Sequence, residues 1–215
     1  MTFPAKRLPY DEARTQIRSG DILLCSGEYT FSKLIQKATG SVWSHVGFVL
    51  RVDAIDRLMV LESIEGHGVR TVALSEYVQN FEATGSGYKG RVAIARHRRF
   101  TQQATPQGMK AMSQFAVDRL ACPYDEEEIG RITARIVGAK LGLPPEDMVR
   151  NDEYICSEYV YECYRRLDIT IRNDNRGFIA PADFANDPDV QLLFEVDVRR
   201  APDKPVTPVG GGNGE

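Results

Sequence analysis

"YICSEYVYECYRRL", residues Tyr154 to Leu167, sets a cysteine near the start of an amphipathic helix. Cys156, Val160, Cys163, Tyr164 and Leu167 recur at helical spacing and share one face. Asn151 and Asp152 are candidate N-caps, which would hold Cys156 within about one turn of the positive end of the helix dipole. That setting favours the thiolate, the form in which cysteine attacks a carbonyl. A buried packing cysteine would fit the same face, because free cysteine is among the most buried residue types. The two readings part at one requirement: a nucleophile needs a base.

Imidazole is the side chain whose ordinary pKa, about 6.5, suits proton transfer at neutral pH. The chain has 3 histidines. His97 stands among Arg96, Arg98 and Arg99 in "ARHRRF", where a solvent-facing strand exit is expected. His67, between Gly66 and Gly68 in "EGHGV", falls in a turn that would hold it loosely. His45 differs from both: it lies in "WSHVGFVL", a run that reads as a strand, with Gly47 on the same face leaving space beside the ring. A hydrogen-bonded core histidine would also fit that position.

An acidic residue on the neighbouring strand would fix the tautomer of such a histidine and stabilise its imidazolium. "VLESIEG" supplies Glu62 within a second apolar strand. If "DAID", Asp53 to Asp56, turns a hairpin, the two strands are antiparallel and Glu62 comes beside His45. The alternative is an edge-strand carboxylate facing water. Ser63, on the opposite face, takes the orienting place if the register slips by one residue.

Outward from these segments, "SGDILLCSG" reads as a strand from Ile22 to Cys25. "TFSKLIQKATG" reads as a helix with Phe31, Leu34, Ile35 and Ala38 on one side and Gly40 as its C-terminal cap. "RLMVLESI", "GVRTVAL" and "KGRVAIARH" are further strands. The second half turns helical, with "PQGMKAMSQFAVDRL", "DEEEIGRITARIVGAKLGL" and the cysteine segment. "RGFIAPADFANDPDV" then reads as a loop, and "QLLFEVDV" as a last strand. The fold class is α+β, one domain over 1–200, with a Pro/Gly-rich tail at 201–215 expected to be disordered.

Composition narrows the function. The chain has 215 residues with 42% hydrophobic and 27% charged side chains, enough apolar material for a sizeable core. Its 27 basic and 30 acidic residues are interspersed, which argues against nucleic acid as a partner. No uncharged apolar run nears the ~20 residues that span a bilayer, and the N-terminus has no signal-like apolar stretch, so a cytoplasmic setting is expected. Cys25, Cys122, Cys156 and Cys163 form no C-x-x-C pair and no zinc-ligand spacing, which fits free thiols and predicts neither metal nor other cofactor.

In this order, "SGDILL", "TGSVWSHVGFVL", "VLESIEGHGV", "CPYDEE" and "YICSEYVYECY" resemble the permuted NlpC/P60 enzymes of the YiiX/YaeF-like group, papain-like cysteine amidases. The likeness runs from about Gly20 to Phe184. In ordinary papain-like enzymes the cysteine helix comes first; in this group circular permutation places the histidine strand first. The resemblance implies a permuted papain-like fold with an antiparallel sheet packed against helices. It also implies Cys156 as nucleophile, His45 as general base and Glu62 as the residue that orients it. Tyr124 matches a tyrosine that the wider superfamily places at the active site, where its hydroxyl would help hold an oxyanion, beside the backbone N–H of Cys156. The implied reaction is cleavage of an amide or ester through a thioester, on a small-molecule, peptide or lipid acyl substrate; an acceptor other than water would make it an acyltransferase.

A catalytically silent binding module on the same fold is the competing reading. A redox pair of Cys156 and Cys163 is not, since seven residues of helix separate them by roughly 10 Å of rise, beyond disulfide reach. Oligomeric state has no signature in the sequence. The apolar content of "RGFIAPADFA", Arg176 to Ala185, is unusual for a connecting loop. Either Phe178 and Phe184 fold back over the core, or the segment joins Phe31 and Ile35 in one wall of an acyl-binding cleft.

Overall fold

Runs of apolar and β-branched residues build the scaffold, because alternate side chains of a strand can be buried on opposite faces only when both faces are covered. In the computed structural model, which describes residues 6–124, 155–173 and 178–199, the strands are β1 (Arg7–Leu8), β2 (Ile22–Gly27), β3 (His45–Val52), β4 (Arg57–Ile64), β5 (Gly68–Ala73), β6 (Gly90–His97) and β7 (Val190–Val196). The helices are α1 (Tyr10–Gln16), α2 (Thr30–Thr39), α3 (Leu74–Gln79), α4 (Phe100–Gln103), α5 (Pro106–Asp118), α6 (Cys156–Arg165) and α7 (Pro181–Asn186). The expected helix "DEEEIGRITARIVGAKLGL", the candidate caps Asn151 and Asp152, and the tail 201–215 lie outside the described residues.

All seven strands form one sheet in the order β1-β7-β6-β2-β3-β4-β5. Neighbours are antiparallel except for β1, which runs parallel to β7. β2 shows why its run is apolar throughout: Ile22 and Leu24 enter one core, Leu23 and Cys25 the other. The first core lies under α6, whose Tyr159, Val160, Cys163 and Tyr164 pack over Val46 and Phe48 of β3. The Tyr159 hydroxyl donates to the Ala116 carbonyl at 2.9 Å, joining α6 to α5. The second core, around Val60, Tyr77 and Ile94, is closed by α1 and α3.

The hairpin between β3 and β4 turns at Asp53–Ile55, with Asp56 in the left-handed region at φ 48°. Its ladder pairs Phe48 with Leu61, which sets Glu62 beyond Leu61 toward the His45 end of β3. α2 ends as its sequence predicts, at Gly40 with φ 62°. The segment expected as a loop after the cysteine helix contains α7, opened by Pro181 at a helix start, where its missing N–H costs nothing.

Candidate active site

Cys156 is the first residue of α6. Its N-cap is Ile155, not Asn151 or Asp152, so the thiol stands closer to the helix start than the sequence implies. The Glu158 carboxylate folds back to accept from the Ile155 N–H at 3.4 Å, which stabilises that start. At this position the Cys156 backbone N–H lies among the first amides of the helix, which have no intrahelical acceptor. The Ser157 hydroxyl donates to the Ile179 carbonyl at 2.8 Å and so ties the helix start to the 178–180 segment.

His45 opens β3, and Glu62 lies near the end of β4. His45 Nε2 is 2.7 Å from Glu62 Oε2, and the ring is also hydrogen-bonded to the Cys156 side chain. With Nε2 held by the carboxylate, Nδ1 is the nitrogen left for sulfur. Gly47 makes the approach possible: a Cβ there would sit 3.1 Å from the Leu61 carbonyl oxygen and 3.4 Å from Glu62 Cβ. Glu62 is fully buried on an interior strand, so the solvent-facing edge carboxylate is excluded. Ser63 lines the neighbouring cavity without replacing it as the partner of His45.

Burial alone would lower the pKa of His45, but the hydrogen bonds and charges of Cys156 and Glu62 raise it to about 10. Burial would push the Glu62 carboxyl up; the His45 and Arg70 cations outweigh it and hold the group below its ordinary value. The electrostatics therefore favour the imidazolium form of His45 beside an ionised Glu62 at neutral pH.

The other histidines are elsewhere. His67 is exposed in the β4–β5 turn. His97, expected to face solvent, is buried, with its ring 6.3 Å from that of Tyr164. The arginine run misled because Arg96 is drawn away to the Asp21 carboxylate at 2.6 Å, while strand alternation turns His97 inward. Burial lowers its pKa. In an NMR titration of the imidazole resonances, His97 should titrate below the ordinary value of about 6.5. His45 should stay protonated through neutrality and lose its proton near pH 10. A His45 midpoint at or below 6.5 would remove the imidazolium from the site.

Two cavities meet at Cys156. One is lined on the α2 side by Phe31, Leu34 and Ile35 and on the other by Phe178 and Pro181. The second is more polar and includes His45, Ser44, Ser63 and Tyr88. Tyr124 and Cys156 border both. Phe178 thus faces the cleft, whereas Phe184 belongs to the main core. Strand register brings in two residues that the sequence did not single out: Arg70, paired opposite Glu62, and Tyr77 of α3, whose hydroxyl donates to Glu62 Oε2 at 3.0 Å.

One group among the described residues has the ligand types for a metal, His97 with Asp187 and Asp189. Two of its three members carry hydrogen bonds. His97 Nδ1 accepts from the Arg99 N–H at 3.2 Å, so Nε2 carries the proton, and the two Asp187 oxygens accept from the N–H groups of Arg172 and Asp189. All four cysteines are free thiols. Among the described residues, no helix is long and apolar enough to cross a membrane.

The family described as "permuted papain-like amidase enzyme, YaeF/YiiX, C92 family" matches residues 16–204. Among solved structures, the crystal structure of the metalloprotein YiiX from Escherichia coli O157:H7 is similar in fold. Its TM-score is 0.59 at 18% identity, over 87% of this chain and 99% of that one. No curated protein matches the chain.

Proposed function

The chain belongs to the permuted papain-like amidase enzymes of the YaeF/YiiX, C92 family, and from that premise we propose that it cleaves an amide or ester through a thioester on Cys156. The observation that carries this reading is the continuous hydrogen-bonded line Cys156–His45–Glu62, with the cysteine at a helix start. A cysteine that served packing alone would not need a buried imidazole fixed by a buried carboxylate.

The steps follow from the atoms. His45 Nδ1 already holds the proton given up by the Cys156 thiol, and Cys156 Sγ attacks the acyl carbon. The resulting oxyanion is held by the Cys156 backbone N–H and the Tyr124 hydroxyl. The bond to the leaving group breaks as His45 returns its proton to the departing nitrogen or oxygen. A water, deprotonated by His45, then attacks the thioester and restores the thiol. Glu62 keeps the ring oriented and offsets the imidazolium charge without itself taking up the proton.

The cleft supports an apolar acyl group. Phe31, Ile35 and Phe178 flank the sulfur on one side, and the polar cavity lies on the other, so acyl chain and leaving group would part at Cys156. Across a series of acyl esters of increasing chain length, Phe178→Ala should shift the preferred length while the melting temperature moves little. A large fall in melting temperature with unchanged relative rates would make Phe178 a packing residue and remove the acyl assignment.

A further inference from the structure

A carboxylate as buried as Glu62 would ordinarily be neutral, since burial penalises the charged form. Here three groups close around it. His45 Nε2 lies at 2.7 Å and the Tyr77 hydroxyl at 3.0 Å from Oε2, while Arg70 Nε donates to Oε1 at 2.9 Å. We propose that Arg70 and Tyr77 are positioning residues for the reaction: they hold Glu62 ionised and immobile, and through it set the proton balance of the His45–Cys156 pair. This rests on the reading of Cys156 as the nucleophile.

Arg70 is built for the role. It stands opposite Glu62 in the β4–β5 ladder, so register alone aims it at the carboxylate. Its guanidinium carbon lies 5.7 Å from the centre of the Phe81 ring, and Nη1 reaches Glu82 at 3.4 Å, which fixes the outer end. The inward pull leaves Nη2 buried with no hydrogen-bond partner, a penalty that a surface ion pair would not incur.

Tyr77 is fixed just as firmly. Its ring packs on Phe81 at 4.8 Å and stacks on Tyr88 at 5.3 Å. The Cys25 thiol donates to its hydroxyl over 3.9 Å, which directs the phenolic proton to Glu62. Burial pushes both the Cys25 thiol and the Tyr77 phenol upward in pKa, so each keeps its proton at neutral pH.

The groups around Glu62 are therefore His45 from β3, Arg70 from β5, Tyr77 from α3 and Cys25 from β2. Tyr88 lies behind Tyr77, Cys156 beyond His45, and Glu82 at the outer end of Arg70. Arg70, Glu62 and His45 alternate in charge along a line of hydrogen bonds that ends at the Cys156 side chain. Loss of Arg70 lets Glu62 take up a proton at higher pH, which removes the partner of the imidazolium and, with it, support for the thiolate. Both effects shift reactivity in the same direction.

The test is the pH profile of iodoacetamide alkylation at Cys156, mapped by peptide mass spectrometry, alongside steady-state kinetics and melting temperature. In Arg70→Met the acid limb of alkylation should move up by at least about one pH unit, the lower end of what an opposite charge does at this range. On the same basis, kcat should fall at least about tenfold with KM nearly unchanged. Arg70→Lys should recover most of the shift, and Tyr77→Phe should move it the same way by less. If Arg70→Met fails to fold, those two variants decide. A wild-type alkylation profile in the folded variants, with only the melting temperature lowered, would overturn the proposal. If the wild-type protein itself shows no selective alkylation at Cys156, the nucleophile reading falls and this proposal with it.

Discussion

Replacing Cys156 with alanine should abolish turnover, by at least roughly 10⁴-fold in kcat, while leaving the fold intact. The argument is chemical. Of the other thiols, Cys25 donates to the Tyr77 hydroxyl, and Cys163 is buried, its pKa raised by that burial. The alanine keeps the helix start, because the cap is Ile155 and the N-terminal hydrogen bonds use Glu158 and Ser157. Only a small buried sulfur is lost, a change worth about 1 kcal/mol in stability. Full activity with any accepted substrate, in a variant that melts as the wild type does, would return Cys156 to the role of packing residue.

His45→Ala should be nearly as damaging, with a loss of roughly 10³-fold or more in kcat. On the proposed mechanism the substitution removes the proton carrier beside Cys156, so alkylation of Cys156 should also move to higher pH. It leaves Glu62 with Arg70 and Tyr77 as partners, so the carboxylate stays compensated and the sheet should hold. The exposed His67 in the β4–β5 turn cannot take over, since it borders neither cavity beside Cys156. An unchanged alkylation profile in this variant would show that another group acts as the base.

The parts of this site carried by strand runs were legible in the sequence. Val, Ile and Phe around His45 and Glu62 define two strands, the Asp53–Asp56 segment turns them, and the glycine at 47 leaves room between them. Arg70 was not legible, because an arginine in an alternating strand is an ordinary surface residue until the β4–β5 register sets it against Glu62. α3 and α7 were missed for a different reason: at six residues each they are too short to display a helical period, and they owe their shape to tertiary packing. α1 has a single buried residue, Ala13, and so no apolar stripe to read. His97 shows the converse error, in which neighbouring charges suggested exposure although Arg96 pairs with Asp21 and only Arg98 and Arg99 face solvent.

The measurement that bears most directly on the central claim is the mass of the protein during turnover. An activated acyl ester is mixed with the wild-type chain, quenched in acid within the first turnover, and digested. The expected result is one acyl group on the peptide that contains Cys156, removed by hydroxylamine at neutral pH as a thioester should be, and absent in Cys156→Ala. Turnover without an adduct, or an adduct that persists in Cys156→Ala, would contradict a mechanism in which this sulfur carries the acyl group.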